Sequence, residues 1–451
     1  MRRTMADRPT GAARLPRRAA LLMSVGLLGG CSMFDDLFSD TKPKLPGERI
    51  SVMNPRRGLE IDPRAGQVTL PPPLANADWP QAGGTPAHAM GHLQAGERLA
   101  TAWRAGIGEG GGYRRKITAQ PVIAAGRVFT MDSDAVVTAY DAGSGRQLWR
   151  LETQPAEDRS TNIGGGIGVD GDTLYAGTGR AEVLAIEAAT GKIRWRKPTD
   201  RPVRSAPTIA EGRLFVAIMN DELLALATDD GRKLWSYQAR TPETSVLGLP
   251  APAYADGVVV AGFGSGELVG LRATSGTVAW SDSLASARGR NSMLDLSAIR
   301  GLPALADGRV YAGSLGGLTI SLDPRTGRRL WERDVATGDT LWVAGEWLFL
   351  LGTEGQLAAI SRSEGRVAWV TQLPRFEDEK KQEDPIRWIG PVLAGGRLLL
   401  GGSDGTLAMI NPITGEVLGR QELPGPLSVS PAVAGGMVYL VTQDATLVAL
   451  R

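Results

Sequence analysis

Few side chains in this sequence could carry chemistry. Histidine occurs twice, at His88 and His92, and cysteine once, at Cys31. Two histidines near the start of the folded region cannot supply a Ser-His-Asp triad or a multi-histidine metal site within the repeats that follow. A single cysteine excludes an intramolecular disulfide, a zinc ribbon and a CxxC redox pair. The stretch Gly164-Gly165-Gly166-Ile167-Gly168 suggests a phosphate cradle, but no Lys-Ser/Thr pair and no helical pattern follows it. It reads instead as the lead into a strand. Asp141 and Asp323 recur at one place in a turn, where an aspartate caps backbone amides; turn capping is expected there rather than metal ligation. Trp149, Trp195, Trp235, Trp280, Trp331 and Trp369 also recur at one position per unit, which marks packing between sheets rather than a stacking platform for a cofactor. Trp342, Trp347 and Trp388 stand outside that series and are the candidates for a glycan platform, with core packing the better reading. No catalytic, cofactor-binding or metal-ligating residue is therefore expected, and no cofactor.

The elements that would position these residues come from a repeat. A glycine stands four residues before each tryptophan of the series, as in Gly145/Trp149 and Gly231/Trp235, and the tryptophans are spaced by 46, 40, 45, 51 and 38 residues. A seventh copy, Gly415/Gly419, keeps the turn and loses the tryptophan. A second mark, a glycine before an apolar run, occurs from Gly126 to Gly436. Within 205–237 the turns Glu211-Gly212, Asn220-Asp221 and Asp229-Asp230-Gly231 separate four short apolar runs. Asn, Asp and Gly tolerate the positive φ that tight hairpins need, so each unit reads as four antiparallel strands. Four strands every 40–50 residues predict a β-propeller. Seven units are whole. The eighth, 427–451, ends after three strands, and its fourth comes from 99–104, where Trp103 keeps the phase. The expected fold is all-β: an eight-bladed propeller over 98–451, closed by pairing the N- and C-terminal strands.

The chain has 451 residues, with 42% hydrophobic residues and Gly 59 plus Pro 28, enough for a large core of short strands and below low-complexity levels. Residues 1–30 carry six arginines and one aspartate, followed by a short apolar stretch at 19–30, which reads as an export signal rather than a membrane span. Leu28-Gly29-Gly30-Cys31 resembles the lipobox of bacterial lipoproteins, which implies lipidation of Cys31 as the mature N-terminus. Ser32, in place of an aspartate retention signal, then favours the outer membrane. Without residues 1–30 the 50 basic residues fall to 44 and the 48 acidic ones to 47, a net charge of −3. No basic face for nucleic acid is indicated. The proline-rich run to about Asn76 reads as a tether, and 31–97 as tether and lead-in.

The unit from Val137-Thr138-Ala139-Tyr140-Asp141 to Trp149, with 318–331 and 405–419, resembles the PQQ-type propeller repeat. With the lipobox and about eight blades, the chain resembles the BamB family of outer-membrane assembly lipoproteins. Trp79-Pro80-Gln81-Ala82-Gly83-Gly84 and Arg300-Gly301-Leu302-Pro303 are similar to its alphaproteobacterial branch. The resemblance implies a non-enzymatic scaffold on the periplasmic face of the outer membrane that binds BamA, the barrel subunit, through its periplasmic domains. It places the partner face on 239–250 and 281–302, with Leu247, Arg290 and Asp295 as the contact candidates. Val246-Leu247-Gly248 lacks the arginine of the family's first loop, and Ser297 replaces the second acid of its second loop. Two other classes stay open at this point: a quinoprotein dehydrogenase, whose relatives carry a vicinal Cys-Cys pair over the cofactor that this propeller lacks, and a ligand- or glycan-binding propeller. The charged run 377–384 reads as a solvated loop.

Overall fold

The structure is a computed structural model that describes residues 58–112, 115–154, 162, 164–241, 248–285 and 297–451. Eight four-stranded antiparallel sheets account for nearly all regular structure among these residues; the one helical element is a single 3-10 turn, Pro63–Ala65. No helix of the described residues is long and apolar enough to cross a membrane. In chain order the sheets are blade 1 (122–151), blade 2 (165–198), blade 3 (208–238), blade 4 (253–283), blade 5 (304–333), blade 6 (342–372), blade 7 (388–422) and blade 8 (432–450). The innermost strands of successive blades meet from blade 8 through blade 1 to blade 7, and the Leu427 amide, on the segment leading into blade 8, donates to the Gly402 carbonyl of blade 7, so the blades form a closed ring.

Local chemistry explains the strands. In blade 3, Glu211-Gly212 and Asn220-Asp221 all have positive φ, from 48° to 71°. Two positive-φ residues in succession make a tight hairpin whose twist matches the strands it joins. Thr208–Ala210, Arg213–Ile218, Glu222–Ala227 and Lys233–Gln238 pair in that order. Apolar residues run almost unbroken along the middle strands and occupy both faces, because each blade is covered by a neighbour on either side. Phe215 and Val259, for example, share a buried cluster between blades 3 and 4.

The Gly–Trp repeat is an interblade joint. The indole N–H of Trp195, in blade 2, donates to the Thr228 carbonyl at 3.1 Å, in the turn of blade 3. A Cβ on Gly231 of that turn would lie 2.8 Å from the Trp195 ring, so only glycine lets the turn close over the indole. The same pair is formed by Trp149 with Gly191, Trp235 with Gly276, Trp280 with Gly327, Trp331 with Gly365 and Trp369 with Gly415. Trp103 makes it between blades 8 and 1, with Gly145 and the Ala142 carbonyl. Blade 7 should then dock a tryptophan under the turn of blade 8. Blade 8 has no such turn, because its third and fourth strands are Thr446–Leu450 and Thr101–Gly106, which are not joined in sequence. With nothing to dock beneath, the position is Gly419.

The ring closes as the sequence predicts, with Thr101–Gly106 antiparallel to Thr446–Leu450. The strand lies two residues beyond the expected 99–104, and a bulge falls between Thr101 and Trp103. Leu99 is buried at φ 50°, outside the strand. The run 377–384 differs from the expected loop. Most of it lies in an exposed two-stranded hairpin, Phe376–Asp378 with Glu383–Pro385, where cross-strand backbone pairing orders the charged residues.

Candidate functional site

The central channel is closed at one end by the lead-in. An innermost strand has one edge without a neighbour in its own sheet, and such edges leave N–H and C=O groups unpaired. Residues 76–93 pair with these edges blade by blade. The Asn76 carbonyl accepts from Gly435, beside blade 8; Trp79 exchanges both backbone bonds with Ile123 of blade 1; the Pro80 carbonyl accepts from Val169 of blade 2. The Gln81 side chain accepts from Ile209 of blade 3 at 2.9 Å. The Pro86 and Ala87 carbonyls accept from Tyr254 of blade 4 and Leu305 of blade 5. The Gly91 carbonyl accepts from the Trp342 indole of blade 6 at 2.8 Å, and Leu93 donates to Leu393 of blade 7. The segment thus makes one circuit of the ring in blade order. From Gly58 the chain is packed on the propeller, with Val68 buried and Ile61 bridged to Val367. The sequence alone suggested a free tether as far as Asn76. A segment that gives each blade one or two bonds has no local period, and nothing in its pattern marks it as bound.

Trp79 is wholly buried and stacks on Trp342, with ring centroids 6.3 Å apart and planes at 11°. His88 donates Nδ1–H to the Pro303 carbonyl at 2.7 Å, and burial lowers its pKa to about 4, so the ring is neutral. A Cβ on Gly83 would lie 2.7 Å from His88 and 3.0 Å from Leu302. The sequence stretches 79–84 and 300–303 therefore meet, and Pro303 lies against the lead-in because His88 holds it there.

Above this floor the channel opens as a cavity of about 450 Å³. Its walls are the segments that lead into the innermost strands. Lys116, Arg204, Arg300 and Arg387 line it, and Asp339 is the one carboxylate among its described lining residues. Gly301 packs directly against Asp339: a Cβ there would run into the Asp339 carbonyl. Burial raises the Asp339 pKa to about 6, against the opposing pull of Arg387, the Gly390 amide and Arg300. Burial likewise lowers the pKa of Arg300 and Arg204, and the nearby Arg387 lowers that of Arg300 further.

Leu247, Arg290 and Asp295 lie outside the described residues, as does Cys31. The described ends of their two loops are fixed. Asp221 is buried and accepts from Ser265 at 2.9 Å, while its carbonyl accepts from Ala239 at 2.9 Å. Tyr237 donates to Glu267 at 2.5 Å, and burial, then that carboxylate, raises the Tyr237 pKa. Arg329 clasps Asp282 through two bonds of 2.6 and 2.7 Å where the second loop begins, and Ile299 bonds Phe263 where it ends. Gly248, Leu249, Pro250 and Arg300 carry both loops to the cavity mouth.

The other candidates resolve as packing. Trp342, Trp347 and Trp388 are buried, and Trp388 donates to the Pro374 carbonyl at 2.7 Å. Asp141 and Asp323 cap their own turns, accepting from the Ser144 amide and from the Arg325 and Thr326 amides. Gly165 opens a strand, Gly165–Asp170. The channel cations escaped the sequence reading, since no local motif marks them.

Comparison with known proteins agrees with this geometry. The sequence model of the family described as outer membrane protein assembly factor BamB matches residues 133–371 and 375–451. Outer membrane protein assembly factor BamB of Yersinia pestis is 26% identical over 356 residues, covering 77% of this chain and 87% of that protein. The Salmonella typhimurium protein of the same name is 26% identical, covering 78% and 88%. Among solved structures, BamB from Moraxella catarrhalis superposes with a TM-score of 0.66 at 22% identity, covering 78% of this chain and 99% of that one. A europium-containing methanol dehydrogenase reaches the same TM-score, 0.66, at 12% identity, covering 81% and 90%, a likeness of fold alone.

Proposed function

The chain belongs to the family of outer membrane protein assembly factor BamB, and from that premise we propose that it is a lipid-anchored scaffold that holds the barrel subunit BamA during outer-membrane protein assembly. The family is one of assembly factors, not enzymes, and works at the bacterial outer membrane. The finer reading has Cys31 lipidated, so that the propeller stands on the periplasmic face. It puts BamA on the rim formed by 239–250 and 281–302, with Leu247, Arg290 and Asp295 in the contact.

The observation that carries this reading is the family match across the propeller repeats. The seating of the described loop ends supports it: Asp221, Glu267 and the Asp282–Arg329 pair fix them on the propeller rim. The test is co-purification of BamA with the membrane-extracted lipoprotein. Asp295→Arg should weaken capture at least tenfold, whereas Asp378→Arg in the exposed hairpin should leave it unchanged, because a reversed charge costs affinity only where it meets a partner. Equal capture by both variants would move the partner to another face.

A further inference from the structure

The blind cavity has a charge pattern that scaffolding does not use. Lys116, Arg204, Arg300 and Arg387 stand on the segments leading into blades 1, 3, 5 and 7, so successive cations lie about a quarter-turn apart around the mouth. Arg204 and Arg300 hold the same register, six residues before Ala210 and Ala306 at the ends of their strands. The corresponding positions in blades 4, 6 and 8 are Leu249, Gly338 and Ser428, which leave room between the cations. With Asp339 ionised the lining carries four positive charges and one negative. Arg204 and Arg300 are partly buried and lose hydration, Lys116 and Arg387 are exposed, and cations gathered around one space repel each other, so a site so built is stabilised by an anion.

We infer that the channel cavity is a binding site for a small organic polyanion, held by Arg300, Arg387, Lys116 and Arg204 above the Trp79 floor. Several acidic groups on one compact body match cations that surround the space, since a single carboxylate could reach only one side of it. A volume of about 450 Å³ lies within the usual range for small-molecule sites. The closed floor favours a small molecule over a polypeptide segment, which would need an exit. Arg387 is exposed and available at the rim, while Arg300 lies deeper. Carboxylate and phosphate share this chemistry, because both accept paired bonds from a guanidinium.

The test is isothermal titration of the full mature chain with citrate and, separately, with inositol hexakisphosphate, at constant ionic strength, with neutral inositol as control. One-to-one binding of either anion is expected: of citrate alone for a carboxylate ligand, of the phosphate ester alone for a phosphate ligand, of both for a site that reads charge. Arg300→Gln and Arg387→Gln should each weaken binding at least tenfold. Asp339→Asn, which removes the one opposing charge, should tighten it. Arg300→Lys, which keeps the charge but not the paired bonds, should weaken it less than Arg300→Gln, and Arg420→Gln, on the exposed outer strand of blade 7, should change nothing. Circular dichroism of each variant confirms that the ring is folded. No saturable heat at millimolar anion overturns the inference. So does binding of several equivalents, or binding that Arg300→Gln and Arg387→Gln leave intact while folded.

Discussion

Trp79→Ala tests whether the lead-in is a structural part of the ring. Trp79 is fully buried, exchanges two backbone bonds with Ile123, and stacks on Trp342. Truncating a buried tryptophan to alanine costs about 3–5 kcal/mol, of which the stacked pair contributes about 0.5–1.5 kcal/mol. Unfolding entropy is about 2.1 cal/mol/K per residue, so roughly 350 residues of ring give about 0.7 kcal/mol/K, and the melting temperature should fall by about 4–7 °C. The loss is a large fraction of the roughly 5–15 kcal/mol that holds a domain together. Trp342→Ala should cost a similar amount, since it removes the same stack and the bond to Gly91. The double variant should be less destabilised than the sum of the two by about 0.5–1.5 kcal/mol, because one contact is lost only once. The assay is thermal and denaturant unfolding followed by far-ultraviolet circular dichroism. If Trp79→Ala melts with the parent, the lead-in is not wedged into the channel; if the two costs simply add, the indoles do not pack on each other.

Three other outcomes are expected. Deleting 432–451 removes three strands of blade 8 and strands Thr101–Gly106 without a partner, opening two edges at once, so the protein should aggregate or be degraded; a soluble product with a sharp, unshifted melt on gel filtration and calorimetry would refute the closure. Cys31→Ser should abolish incorporation of radioactive palmitate in cells, and label on the variant would exclude Cys31 as the lipid site. Asp339→Asn should leave stability unchanged below about pH 4, raise it progressively between about pH 4 and 6, and hold that gain above. The carboxyl is raised from 3.8 to about 6 in the folded state, so between those values the unfolded chain sheds the proton that the folded parent keeps, and the parent loses stability. At about 1.36 kcal/mol per pH unit the gain at pH 8 is at most about 3 kcal/mol, and solvent at the mouth reduces it. A gain confined to low pH would contradict the burial of the charged form.

How much of this could be read from the chain depends on whether an interaction has a local period. The strands within each blade are joined by two- to six-residue turns, so Gly231 and Trp195 recur with their neighbours at a spacing the eye can follow. The missing fourth strand of blade 8 was equally legible, because Trp103 keeps the phase of the series. Gly419 was visible only as an exception. Its reason is that the turn a tryptophan would dock beneath does not exist at the junction of the chain's two ends.

The lead-in and the channel were not legible. Residues 76–93 bond to eight blades in turn, and such a segment carries no repeating pattern of its own. Lys116, Arg204, Arg300 and Arg387 are separated by 88, 96 and 87 residues, about two blades each, and each looks like an ordinary charge in a turn. By itself the sequence determined the fold, its blade count, its manner of closure and the family. Only the tertiary structure decided what the inside of the ring holds. Hydrogen bonds between neighbouring strands are set by nearby residues, whereas the facing of one blade by another across the channel exists only once all eight have closed.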